Sequence, residues 1–249
     1  MAGYFRTRIK ICGVRELENA ELCVELGVWA IGLNCYRRSP RRVAVADAEA
    51  IGQVVKRRIQ TVGVFVNAKM DRVVQLAERC HLTTLQFHGD EGPQYCGEVA
   101  RRTGLRVIKA QRIRTLGDLN ELERFQVDFH LLDSGGTGVY GGSGRTFDWD
   151  IARSIRAPQP FIVGGGLTPE NVGEAIKTML PFGVDVASGV ESSPGQQDPA
   201  RIAKFVDAVA DADREIGAER EQFDDVDPDE GLDGPMQEQA VPDRLVAES

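Results

Sequence analysis

Two glycine-rich segments of this sequence have the composition of a phosphate cradle. Gly164-Gly165-Gly166-Leu167-Thr168-Pro169-Glu170-Asn171 follows the β-rich run Phe161–Val163, and Ser188-Gly189-Val190-Glu191 follows the run Val184–Ala187. Glycine lets backbone N–H groups approach phosphate oxygens, and Ser188 adds a hydroxyl donor. The expected phosphate contacts are Gly165, Gly166, Ser188 and Gly189. Two ionisable residues end other β-rich runs, Cys12 closing Arg8–Cys12 and Asp133 closing Phe129–Asp133. A cysteine acts as base or nucleophile only as thiolate, so its ordinary pKa of ~8.5 must be pulled down by cations or backbone dipoles. Alone, Cys12 would read as a small buried hydrophobe and Asp133 as a turn former. Beside a phosphate site they supply one base and one acid around a sugar phosphate, which is what proton-transfer isomerisation needs.

Several further groups could hold a substrate. Arg41, within Arg37-Arg38-Ser39-Pro40-Arg41-Arg42, could clamp a carboxylate with both arms of its guanidinium, although arginine-rich loops are often only solvated. Gln86 and His88 lie two residues apart on one strand and so share a face, where they serve substrate contact or a structural hydrogen bond. Lys10 lies two residues before Cys12, and Asp185 has the matching position on a later strand, so the two form a buried ion pair. Gly136-Thr137-Gly138-Val139-Tyr140-Gly141 matches G-x-G-x-x-G, but no long helix opens on it and no acid follows at the distance a dinucleotide site requires. Ser134–Thr146 carries six glycines and reads as a flap over the site.

These residues need a scaffold that brings strand ends together. The strand candidates are Arg8–Cys12, Ala30–Asn34, Thr61–Val66, Thr84–His88, Arg106–Ala110, Phe129–Asp133, Phe161–Val163 and Val184–Ala187. Between them lie amphipathic stretches at Glu16–Leu26, Asp47–Arg58, Asp71–Arg79, Pro93–Arg102, Leu116–Phe125, Asp148–Ile155 and Pro169–Met179, with Pro199–Ala210 after the last. Strict alternation implies a parallel sheet, and eight repeats in this length match a single α/β domain folded as a compact (β/α)8 TIM barrel. Such barrels carry their sites at the C-terminal ends of the strands, with phosphate held by the loops after strands seven and eight.

Charge divides the chain. Of 249 residues, 211–249 carry a net charge of −11 and 1–210 a net of +3. We therefore place the catalytic barrel at residues 1–211 and a disordered acidic tail at 212–249, where composition cannot repay chain entropy. A near-neutral body without a long basic run argues against nucleic acid as partner. No apolar run reaches the ~18 residues of a membrane span, and the first ten residues lack a signal-peptide core. Five cysteines, odd in number and without C-x-x-C, form neither a disulfide framework nor a zinc site, which fits a cytoplasmic protein. Monomer and homodimer both remain open.

In the order Lys10-Ile11-Cys12-Gly13, Ser39-Pro40-Arg41, Val62-Gly63-Val64-Phe65-Val66-Asn67, Leu85-Gln86-Phe87-His88-Gly89, Leu131-Leu132-Asp133, Gly141-Gly142-Ser143-Gly144-Arg145-Thr146-Phe147-Asp148-Trp149, Gly165-Gly166-Leu167-Thr168-Pro169-Glu170-Asn171-Val172 and Asp185-Val186-Ala187-Ser188-Gly189-Val190-Glu191, the chain resembles the phosphoribosylanthranilate isomerase family of tryptophan biosynthesis. The similarity spans residues 8–191 and continues through Pro194-Gly195 to about Val209. No single piece is decisive; their combination is specific. The resemblance implies Cys12 as general base, Asp133 as general acid and Arg41 on the anthranilate carboxylate, in an Amadori rearrangement of a phosphoribosyl substrate. Acid and base suffice for it, so neither cofactor nor metal is expected.

Departures from the family pattern fall at Asn34, Cys35 and Tyr36 after strand two, Gln111 at the end of strand five, Gly164 and Ala187. Asn34 and Gln111 would make the anthranilate pocket more polar. An isomerase of another phosphoribosyl amine would place two aspartates where Cys12 and Asp133 stand. A catalytically inactive sugar-phosphate-binding barrel would not need either residue.

Overall fold

A computed structural model describes residues 6–113, 115–133 and 159–224. Eight strands close into one parallel barrel: β1 (Arg8–Cys12), β2 (Ala30–Asn34), β3 (Gln60–Phe65), β4 (Thr84–Phe87), β5 (Arg106–Arg112), β6 (Phe129–Asp133), β7 (Phe161–Gly164) and β8 (Gly183–Val186), with β8 pairing back onto β1. The helices are α1 (Leu17–Glu25), α2 (Val45–Val55), α3 (Met70–Arg79), α4 (Pro93–Thr103), α5 (Leu116–Asn120), α6 (Val172–Met179) and α7 (Pro199–Asp224). This is the (β/α)8 TIM barrel that the alternation predicts. The helix expected at Asp148–Ile155, the glycine-rich flap and the G-x-G-x-x-G match lie outside the described residues. Among the described residues no helix is long and apolar enough to cross a membrane.

Each strand sorts its side chains by parity. Ala30, Val62, Ile108, Ala110, Phe129, Leu131 and Ile162 fill the interior, while the alternate residues of the strands join the helices in an outer core. At the N-terminal end Trp29, Phe129 and Phe182 stack edge-on and tilted, with centroids 4.9–5.7 Å apart, and floor the barrel. Polar side chains therefore collect toward the other end. Lys10 and Gln86 are fully buried there, below the strand ends that carry Cys12, His88 and Asp133.

Parity also corrects one expectation. Gln111 shares the outer face of β5 with Lys109, whose Nζ donates to the Gly89 carbonyl at 2.6 Å. Only Asn34, in phase with Ala30 on β2, faces the mouth, where its Oδ1 accepts the Tyr36 N–H at 3.0 Å. Gln111 thus reaches the cavity beside His88 and Asp133 from the outer side of β5, not from the barrel interior.

After β8 the chain makes a 3-10 turn (Ser188–Val190) and a small hairpin, β9 (Glu191–Ser193) with β10 (Gln196–Gln197), reversing at Pro194-Gly195. Strands this short carry no periodicity of their own in the sequence.

The boundary after residue 211 is corrected as well. α7 continues to Asp224 because its apolar stripe, Ile202, Phe205, Val209, Ala212 and Ile216, keeps a three- and four-residue spacing past the point where composition changes. Ala212 and Ile216 are buried, and Asp213 accepts hydrogen bonds from the Thr7 backbone N–H (2.8 Å) and hydroxyl (2.6 Å). The stretch 212–216 thus packs on the barrel, and the described part of the helix ends at Asp224. Truncation after Asp211 is expected to cost roughly 3 kcal/mol, from one buried isoleucine and a charged hydrogen bond. That corresponds to a melting temperature lower by about 6–12 °C at ~2–4 °C per kcal/mol. Calorimetry of the truncated and full chains checks it; an unchanged midpoint would show that the last turns of α7 contribute nothing.

Candidate active site

Cys12 ends β1 with its side chain turned into the barrel mouth. Gly32, its neighbour on β2, makes the room: a Cβ there would stand 2.9 Å from Cys12 Sγ and 3.2 Å from Lys10 Nζ. The thiol and the ammonium therefore flank the same point. Lys10 is fully buried and reaches Asp185 Oδ1 at 2.7 Å, as the matched strand positions predict. Burial opposes its charge, but Asp185 and Cys12 outweigh burial and hold the Lys10 pKa above its ordinary value. Burial pushes the Cys12 thiol up, against the downward pull of Lys10 and, more weakly, Arg41, while Asp185 adds to the rise. Gln197, on β10, donates its amide N–H to the Cys12 carbonyl at 3.2 Å and fixes the strand end.

Across the mouth, Gln86 and His88 share the inner face of β4 and reach Asp133 in series. Gln86 Nε2 lies 3.1 Å from His88 Nδ1, and His88 Nε2 lies 3.0 Å from Asp133 Oδ2. With Gln86 donating, the imidazole carries its proton on Nε2 and gives it to a carboxylate, and the buried Gln86 Oε1 has no partner among the described residues. Turning the amide over reverses both bonds, so that Oε1 accepts from Nδ1 and Nε2 accepts from a protonated Asp133. The relay accommodates both states that a general acid must visit. Asp133 is mostly buried, and His88 is about one-third exposed.

Arg41 stands on the loop between β2 and α2. Its aliphatic chain lies over Gly13, which has φ +83° and no room for a side chain: a Cβ would be 2.9 Å from Arg41 Cδ. Nε and Nη2 grip Glu191 Oε1 and Oε2, each at 2.7 Å. The clamp edge expected for a substrate is thus taken by Glu191, a residue the sequence reading left unassigned. The edge formed by Nη1 and Nη2 remains, aimed by the first pair. Because Glu191 directly follows Ser188–Val190, Arg41 is tied to the strand-eight loop, not set apart from it.

The glycine loops meet as expected. Gly165 and Gly166 have φ of +87° and +75°, in the left-handed region. Asn171 braces their loop, accepting the Thr168 N–H at 2.8 Å and donating to the Gly166 carbonyl at 3.0 Å. A Cβ on Gly189 would be 2.0 Å from the Leu167 carbonyl oxygen, so the loops after β7 and β8 touch. Space beside Gly166 is open, and Ser188, which precedes Gly189 on the touching loop, is exposed.

Arg112 was also missed: it ends β5 in phase with Ile108 and Ala110, is the register partner of Asp133, and lines a cavity with His88 and Asp133. Strand parity could have found it.

Comparison with known proteins fits this geometry. The sequence model described as N-(5'phosphoribosyl)anthranilate (PRA) isomerase matches residues 9–208. A protein of Geobacter sulfurreducens named N-(5'-phosphoribosyl)anthranilate isomerase is 45% identical over 199 residues, covering 80% of this chain and 96% of the relative. The phosphoribosyl anthranilate isomerase structure from Thermotoga maritima superposes with a TM-score of 0.74 at 38% identity, over 82% of this chain and 99% of that one. A structure of such an isomerase in complex with reduced 1-(o-carboxyphenylamino)-1-deoxyribulose 5-phosphate has a TM-score of 0.71 at 35% identity, with the same coverage. With its barrel, its strand-end cysteine and aspartate and this agreement over nearly the whole of each relative, the chain belongs to the N-(5'-phosphoribosyl)anthranilate isomerase family.

Proposed function

We propose that the chain isomerises N-(5′-phosphoribosyl)anthranilate to 1-(2-carboxyphenylamino)-1-deoxyribulose 5-phosphate in tryptophan biosynthesis, with Cys12 as base and Asp133 as acid. The observation that carries these roles is the opposition of two differently built groups on one mouth. Cys12 has a buried ammonium beside it; Asp133 has a histidine that can donate to it or accept from it.

Asp133 protonates the furanose ring oxygen, and the nitrogen lone pair expels it from C1′ to give the open-chain Schiff base. The Cys12 thiolate then takes the proton from C2′. The electron pair moves into C1′=C2′ and neutralises the iminium nitrogen, forming the enolamine. Ketonisation returns a proton to C1′ and leaves the carbonyl at C2′. Apart from the C1′–oxygen bond that breaks as the ring opens, each step only transfers protons and shifts electron pairs, with no redox change and no further reactant. The amides of Gly165, Gly166 and Gly189 with the Ser188 hydroxyl hold the phosphate, and the outer edge of Arg41 holds the anthranilate carboxylate. Gln86 and His88 keep Asp133 in place.

Adding the purified protein to freshly generated phosphoribosylanthranilate is expected to abolish its fluorescence catalytically. No loss above the spontaneous rate would overturn the reading.

Arg41 carries its own prediction. Glu191→Gln removes the carboxylate that aims the guanidinium, so KM is expected to rise about tenfold, the equivalent of ~1.4 kcal/mol, with kcat nearly unchanged. Arg41→Lys keeps the charge but loses the fork, and is expected to weaken a reduced product analogue more than inorganic phosphate. Equal weakening of both ligands would assign Arg41 to the phosphate side, to which Glu191 ties it.

A further inference from the structure

Outside the barrel mouth, the loop after β2, the end of β3 with the loop that follows it, and the helices α2 and α3 enclose a cavity of about 950 Å³. Its floor is apolar, built from Val43, Phe65 and Leu76, all nearly inaccessible. Its rim is cationic. Arg37, Arg38 and Arg42 come from the β2–α2 loop, and Lys69 and Arg72 from the start of α3. No aspartate or glutamate lines it. Among the described residues none of these five cations is within ion-pair distance of a carboxylate; Arg72 donates only to the neutral Gln75 side chain, at 2.7 Å. Arg79, Arg101, Arg102, Arg124 and Lys204 each face a glutamate, whereas Arg57, Arg58 and Arg106 are scattered singly without an ion pair among the described residues; the five cations here differ in being gathered round one concavity.

Five unpaired cations around one concavity repel each other, an arrangement that stabilises the fold in no evident way and that an anion would relieve. The floor adds a second requirement. Small-molecule sites typically enclose ~300–1,000 Å³ of mostly apolar surface with a few polar groups that fix orientation. A bare inorganic anion would leave such a floor without a partner, and a purely apolar ligand would leave the cations unmatched.

We infer that this cavity is a second ligand site, separate from the catalytic mouth, for a small organic anion with an aromatic or branched apolar body. The body packs on Val43, Phe65 and Leu76, and a carboxylate, sulfonate or phosphate meets Arg72, Lys69 and the arginines of the loop. None of Cys12, Arg41, His88 and Asp133 lines the cavity. Arg41 lies between Arg38 and Arg42 on the same loop but turns the other way, toward Glu191. A ligand that draws on the outer arginines therefore acts on the segment that aims Arg41.

Titration calorimetry with 1-naphthyl phosphate tests the site, with the mouth saturated by reduced 1-(o-carboxyphenylamino)-1-deoxyribulose 5-phosphate. The expected result is one site per chain with a Kd below about 1 mM. Inorganic phosphate should bind at least tenfold more weakly, and Lys69→Gln/Arg72→Gln should lose at least tenfold in affinity while retaining turnover. Displacement of the probe by the product analogue would place it in the mouth and overturn the inference. Equal affinity for inorganic phosphate would reduce the cavity to a charged surface without a use for its floor, and also overturn it. Binding that emerges only when residues 225–249 are removed would identify the acidic C-terminal segment as the occupant and exclude the small anion. Unchanged affinity in the double variant would locate the probe elsewhere.

Discussion

Cys12→Ala and Asp133→Ala are each expected to lower kcat by about 10²–10⁴-fold, the range contributed by one positioned proton-transfer group. The two losses arise at different steps. Without Asp133 the ring oxygen departs unprotonated, and without Cys12 the C2′ proton has no acceptor in the pocket that Gly32 leaves open. KM should change little in either variant, because phosphate and carboxylate are held by other residues. Asp133→Asn is the sharper form of the second test: it keeps the size and a hydrogen bond to His88 but cannot deliver a proton. The double variant should fall well short of the product of the two single losses, since groups that serve one reaction act as a unit. Steady-state fluorescence assays, with circular dichroism to verify folding, decide the matter. More than roughly a tenth of the parent kcat in either single variant would remove that residue from its role.

The scaffold was legible because its two periodicities differ. Alternate residues of Ala30–Asn34 and Phe129–Asp133 belong to different environments, and the helices bury one stripe each. The same rule sets Gln86 with His88, and barrel closure, which makes β1 and β8 neighbours, sets Lys10 beside Asp185. Parity turns Gln111 outward with Lys109, against the expectation drawn from its place near a strand end. Contacts made from loops, where no strand parity applies, are not legible. Arg41 and Glu191 are 150 positions apart, and nothing in either neighbourhood announces the pair. Composition misplaces the end of the folded helix, because it changes at residue 211 while the apolar stripe of α7 runs on to Ile216. Composition describes solvation of a whole segment; one buried face, with Ala212 and Ile216 on it, is enough to keep two more turns folded.

The pair beneath Cys12 has the second large effect, and its two members should act with opposite signs. Burial places the thiol above its ordinary pKa, so at neutral pH thiolate is the minor form and kcat/KM should rise with pH through the Cys12 ionisation. Lys10→Met removes the cation that favours thiolate and leaves Asp185 disfavouring it. The pKa of Cys12 should move up by at least about one unit, worth ~1.4 kcal/mol, and kcat/KM at neutral pH should fall tenfold or more. Asp185→Asn removes the carboxylate and keeps the cation. There the Cys12 pKa should move down, and the alkaline rise in rate should begin at lower pH. Breaking a buried pair costs about 3–5 kcal/mol, so both variants should melt earlier, whatever the role of the pair in catalysis. General loosening of the barrel cannot shift one thiol in opposite directions. The pH dependence of iodoacetamide alkylation at Cys12 reads thiolate directly, without substrate, and therefore separates electrostatics from binding. Shifts of the same sign in both variants would show that Lys10 and Asp185 serve only the packing of the barrel, and that Cys12 draws its basicity from the backbone around Gly13 and from Arg41.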